Sequence, residues 1–243
     1  MTLMEHLSEL RNRVIIAAIA IVLAATVGFV FYPTIIHWLQ EPLRQATAHR
    51  SCGGGPVGTS CSKLITTDYL QPFVVRLKIA TYFGILVASP VVLWEIWRFV
   101  TPGLTERERK YAVPFLVSTV VLFLLGAVVA WITLPKALGF LIGIGGNSLD
   151  VHSTANSYVT LVGLMFLAFG LSFEFPVLLV FLLLVRVLST RVLRKYRRHS
   201  IVGITIFAAV ITPSQDPYSL FLMAIPMWLF YEASIIIGRI MKR

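Results

Sequence analysis

A chain of 243 residues that is 57% hydrophobic and only 13% charged, with a mean hydropathy of +0.83, cannot hide its apolar side chains behind a water-soluble surface, where about a quarter of residues are charged. Its net charge of +10 comes without a nucleic-acid-binding motif. Composition therefore excludes a soluble globular enzyme and predicts an all-α, polytopic helical membrane protein, one integral domain over 1–243, built from apolar runs of about 20 residues that cross a bilayer as helix.

The chain opens on a short amphipathic segment. Leu3, Leu7, Leu10 and Val14 fall on one helical stripe, which predicts a short helix lying at the membrane interface before the first span. Thr2 and Glu5 fit a capping box, and Glu9 faces away from the stripe with Arg13 at i+4, a pairing worth a few tenths of a kcal/mol. The acids Glu5 and Glu9 and the lack of a small-residue cleavage site argue against a cleavable signal peptide.

Six apolar runs follow, at about 14–36, 69–97, 111–134, 158–185, 200–212 and 218–238. They lack the period-two alternation of barrel strands and show no solenoid repeat. After the first run comes a long loop holding Cys52 and Cys61 in "SCGGGPVGTSC". Outside the cytoplasm these are either two free thiols or a disulfide, which the Gly-rich turn favours and whose loop closure contributes about 2–3 kcal/mol.

Basic residues cluster on alternate connections. Arg11 and Arg13, then Arg98, Arg107, Arg109 and Lys110, then Arg186 to Arg198, then Arg239, Lys242 and Arg243 lie on one side. The other side receives mainly Arg44, Arg50, Lys63 and Lys136. The basic side is expected to be cytoplasmic, with both termini there.

Three acids need more than topology. In "TPGLTERERKYAVP", Thr105 and Glu108 fit a capping box, and Glu106 has Lys110 at i+4. Glu174 stands alone inside the fourth run, where an ionised carboxylate costs about 2.5–3.5 kcal/mol on insertion scales. Pro176 removes a helical hydrogen bond beside it, so a kink and a wet or protein-facing carboxylate are expected. The fifth run is too short for a full bilayer core and ends in "TPSQDPYS". The last two runs are either short spans or a re-entrant hairpin.

No nucleophile elbow, zinc-protease helix, phosphate loop or dinucleotide fingerprint occurs. The five histidines are scattered, so neither a metal site nor a cofactor is expected, nor an enzyme.

"EHLSELRNR", "FVTPGLTERERKYAVP", "FGLSFEFPV" and "TPSQDPYS" with "AIPM" occur in that order along the chain. Together they resemble TatC, the multispanning receptor of the twin-arginine protein translocase, over nearly the whole chain. The resemblance implies six transmembrane helices in a concave, glove-like bundle in the cytoplasmic membrane. It implies export of folded proteins, driven by proton motive force, with twin-arginine signal peptides and TatA-type and TatB-type single-span proteins as partners in an oligomeric complex. Glu9, Leu10, Arg11, Phe99, Glu108 and Arg109 match its signal-peptide positions, and Glu174 with Pro176 its intramembrane acid. Thr212 and Asp216 match the polar end of the fifth span near partner docking, and Pro42 an outer-loop proline. The family often has Gln where this chain has Leu220, and the paired cysteines are outside its general pattern. The competing reading is a proton- or cation-coupled secondary transporter centred on Glu174, with Pro176 as hinge.

Overall fold

The computed structural model describes residues 3–48, 64–101, 112–144 and 153–240. Among these, ten helices form and no strand does. Extended pairing is confined to one parallel bridge between Ile65 and Thr154.

Helix α1, Leu3–Val30, runs unbroken for 28 residues. The separate interfacial helix expected at the N-terminus is therefore not present; those residues form the first turns of the span itself. No Gly or Pro interrupts the chain before Gly28, and the Glu9–Arg13 pair bridges successive turns at 3.0 Å, so nothing breaks the ladder. Leu7 and Val14 are exposed.

The chain then bends twice. Helix α2, Tyr32–Leu39, and helix α3, Glu41–Thr47, each carry a proline in the first turn, where the missing N–H costs no helical bond. Pro42 is buried there, and Leu43 is fully enclosed.

Helix α4, Gln71–Val100, lies along α1. A methyl group built on Gly84 would sit 2.8 Å from the Ile21 carbonyl oxygen, so only glycine permits this approach. Helix α5, Ala112–Ile144, continues well past the expected end of the third run. Pro135 stands inside it, but Leu134, Ala137, Leu138 and Ile142 are all buried, and their packing outweighs the lost hydrogen bond.

The fourth run divides into α6, Ala155–Phe173, and α7, Phe175–Leu184, with Glu174 at the break. Pro176 occupies the first turn of α7, so the expected kink is a full interruption of the helix. Helix α8, Thr190–Lys195, precedes α9, Arg197–Ile211, and α10, Pro217–Ile240, follows the last turn. Among the described residues, five helical stretches are long and apolar enough to cross a membrane. Helix α9 is not among them: its 15 residues rise only about 22 Å.

The core gathers where α5, α6 and α10 meet, around Leu134, Met165, Phe169, Phe173, Met223 and Tyr231. Beside it, α2, α4, α5 and α6 line a half-open apolar hollow of about 650 Å³. Trp38, Tyr82, Pro90, Trp131 and Phe166 line it, with Trp38 and Trp131 stacked at 3.8 Å.

Candidate functional site: a two-helix seam and a buried polar turn

Two helix ends meet at the basic end of the bundle, the first turns of α1 and the last turns of α4. His6, Glu9 and Arg13 share a face of α1 at helical spacing; Glu95 and Phe99 share one of α4. The rings of His6 and Phe99 stack with centroids 4.5 Å apart. One turn deeper, Arg13 donates from Nη2 to Glu9 Oε1 at 3.0 Å and from Nη1 to Glu95 Oε2 at 2.9 Å. A planar guanidinium can bridge two carboxylates in this way, whereas an ammonium lacks the fork.

The three charged groups differ in access. Glu95 is buried, with its side chain 8% exposed, while Arg13 and Glu9 are 17% and 21% exposed. Leu10 and Arg11 point outward. The structure thus brings Glu9 and Phe99 to one seam and leaves Leu10 and Arg11 on its rim. Glu108 and Arg109 lie outside the described residues, as do Cys52 and Cys61.

Trp97 fixes the end of α4 against its neighbours. Its indole N–H donates to Thr119 of α5 at 3.0 Å. Its ring packs on Phe115 of α5 and edge-on to Phe181 of α7. The same end holds α8 and the close of α10, where Tyr231 donates to the Leu193 carbonyl at 2.7 Å. Arg197 pairs with Glu232 at 2.6 Å.

A second polar group lies along α6 and α10. Glu174 is half-buried, and its Oε1 has no hydrogen-bond partner among the described residues. Ser172, just before the break, points its hydroxyl at the Met223 sulfur 3.5 Å away. Thr212 approaches the same sulfur at 3.7 Å and donates to the Ala208 carbonyl at 2.6 Å. Asp216 is almost fully buried; its Oδ1 accepts from the Ser219 N–H at 2.7 Å and so caps α10. Its Oδ2 and the Ser219 hydroxyl have no partner among the described residues. Gln215, at the tip, is exposed with φ of 48°. The turn lies near Lys136, whose ammonium stands 5.3 Å from the Tyr218 ring.

Sequence reasoning passed over Glu95, counted His6 only among the scattered histidines, and named Arg13 only as the neighbour of Glu9 and as one of the basic residues that set orientation. The signal for Glu95 was available: a lone acid inside an apolar run, four residues before Phe99. Met223 gave no signal, since a methionine in an apolar run reads as core. Among the described residues no group of three or more His, Cys, Asp or Glu could hold a metal ion.

The family model for the Sec-independent protein translocase protein TatC matches residues 5–226. The chain is 43% identical over 238 residues to the Sec-independent protein translocase protein TatC of Frankia casuarinae, covering 98% of this chain and 65% of that protein. It is 35% identical to the TatC proteins of Carboxydothermus hydrogenoformans and Aquifex aeolicus, covering 94% and 97% of their lengths. A crystal structure of the twin-arginine translocase receptor TatC superposes with a TM-score of 0.77 at 33% identity, over 98% of this chain and 100% of that one. A second, of the same receptor in DDM, gives 0.76 at 34% identity, over 96% of this chain and 99% of that one. With its fold and nearly its whole length so matched, the chain belongs to the TatC family, whose members are components of the Sec-independent protein translocase and not enzymes.

Proposed function

We propose that this chain is the signal-peptide receptor of a twin-arginine translocase that exports folded proteins across the cytoplasmic membrane. The observation that carries the reading is the seam itself. Glu9 and Phe99, far apart in sequence, lie on facing helices, and the carboxylate of Glu9 already binds a guanidinium. Glu108 and Arg109 follow Phe99 by nine and ten residues in the chain, and the reading assigns them to the same slot. An arginine pair docks on Glu9 and Glu108, the next apolar signal residues lie on Phe99, and Leu10, Arg11 and Arg109 frame the slot.

The same reading sets the topology. Both termini and the seam face the cytoplasm, and α9 with α10 forms the last two of six spans. The proximity of Tyr218 to Lys136 supports a turn at the outer side, away from the basic end. Pro42, buried in the first turn of α3, belongs to the outer-side connection, and in this reading Cys52 and Cys61 are paired there. Single-span partners of the TatA and TatB type dock along Glu174, Pro176, Thr212 and Asp216. Unpartnered buried oxygens there suit a polar group from a partner helix.

The transporter reading draws on the helix break at Glu174 but has no use for the seam, and the family is one of protein translocases. The test is binding of a twin-arginine peptide and its twin-lysine counterpart to the purified protein. Clear preference for arginine is expected; equal affinity for the two would overturn the receptor role of the seam.

A further inference from the structure

Glu9 and Glu95 hold one guanidinium between them, and that guanidinium is the chain's own. Each carboxylate gives one oxygen to Arg13. Among the described residues neither Glu9 Oε2 nor Glu95 Oε1 has a hydrogen-bond partner. This is the chemistry that an arginine side chain from outside would meet. The seat lies one helical turn from Phe99, whose ring is half-buried against His6.

We propose that Glu9 and Glu95 form a preformed guanidinium seat, occupied at rest by Arg13 and taken over by an arginine of the bound signal peptide. Glu95 is then a specificity-determining residue, and Arg13 an internal competitor that sets the affinity. This inference rests on the receptor reading and adds to its Glu9 and Glu108 a third carboxylate, Glu95, together with the resting occupant, Arg13.

Three physical points support it. Glu95 is the more buried acid, and removing the cation from a buried ion pair without replacing it is strongly destabilising. The resting occupant supplies that cation until the ligand arrives, so the seat never stands empty and charged. Exchange of one guanidinium for another conserves hydrogen bonds and charge, which keeps it reversible. Arg13, once displaced, has a long stem near the N-terminal end of α1 and can carry its charge to water or lipid headgroups.

The arrangement makes an unusual demand on mutants. Glu95→Gln weakens occupant and ligand alike, so in the wild-type background it should weaken peptide binding by only about 2-fold to 3-fold. Arg13→Gln empties the seat and should tighten binding of a twin-arginine peptide about 10-fold, the worth of one charge-assisted hydrogen bond. In the Arg13→Gln background, Glu95→Gln should then weaken binding by about the same factor.

The experiment is titration of a labelled twin-arginine peptide, with its twin-lysine version in parallel, into the full-length chain in detergent. Wild type, both single variants and the double variant are compared. Arg13→Lys, which keeps the charge but loses the fork, serves if Arg13→Gln is poorly folded, and should bind about 3-fold more tightly than wild type. Weaker binding by either Arg13 variant, or an equal effect of Glu95→Gln in both backgrounds, overturns the proposal and makes Arg13 a structural strap. Failure of the wild type to prefer arginine over lysine is a different result, and it strikes the receptor reading itself.

Discussion

At the basic end of the bundle, Glu9 and Glu95 share Arg13 across two helices. Along α6 and α10, Glu174 and Asp216 each keep a buried oxygen with no partner among the described residues. Both regions place carboxylates where water is scarce, yet only the first matches them with a cation. Leaving a buried acceptor unpaired costs about 1–3 kcal/mol. The seam's two carboxylates share a guanidinium supplied by the same chain; the polar turn holds spare acceptors that no described residue fills. The first suits a ligand that exchanges one cation for another, the second a partner that adds a group.

Substitutions can break that contrast. The largest effect is expected at Glu174. Glu174→Ala should leave the protein inserted and folded, because it removes an unpartnered acceptor and not an ion pair, while export of a twin-arginine substrate falls to background. Export assays beside membrane fractionation check this, and normal export would make Glu174 a tolerated polar residue.

Next comes Glu108→Gln. Glutamine can still close a capping box on Thr105, so stability should hold. Loss of a charge-assisted bond to arginine should weaken twin-arginine peptide binding about 10-fold to 100-fold. Unchanged affinity in a peptide titration would leave Glu108 as a cap alone.

Gly84→Val tests whether the seam depends on how closely α1 and α4 approach. The new side chain meets the Ile21 carbonyl and the Ala25 backbone at 2.8 Å. Overpacking of this kind typically costs about 1–3 kcal/mol. Thermal unfolding in detergent should shift downward, and cross-linking between cysteines placed at His6 and Phe99 should fall. Retained cross-linking would show that the helices part elsewhere.

The smallest effect separates cap from charge at the turn. Asp216→Asn keeps an acceptor for the Ser219 N–H and should hardly change the melting temperature, whereas Asp216→Ala should cost about 1 kcal/mol. If Asp216→Asn destabilises as much as Asp216→Ala, the charge itself holds the turn, and the comparison with Glu174 loses force.

Much of this was legible in the chain, for reasons that can be named. Glu9 and Arg13 sit four apart, so local helical geometry alone predicts their contact. Glu174 stood out because an acid has no cheap place in a long apolar run. The break beside it was legible too, since Pro176 cannot donate to the preceding turn. The N-terminal segment misled because an apolar stripe reads the same on an interfacial helix and on the first turns of a span. The end of the third span misled because Pro135 signals a stop, while burial of Leu138 and Ile142 overrode it.

Hydropathy, charge asymmetry and proline placement, properties of short stretches, determined the class, the apolar runs and most helix boundaries from the sequence by itself. Which acid met which base was decided only in three dimensions. Arg13 and Glu95 are 82 positions apart, and no periodicity links them. Their meeting depends on the register of α1 against α4, along which Gly84 lies against the Ile21 carbonyl, Gly28 against Phe83, and Arg76 donates to the Phe29 carbonyl. Likewise Ser172 and Thr212 converge on Met223 only because α6 and α10 pack side by side. Local propensity shapes each helix, but the relative placement of helices depends on steric fit between surfaces that the chain brings together only on folding.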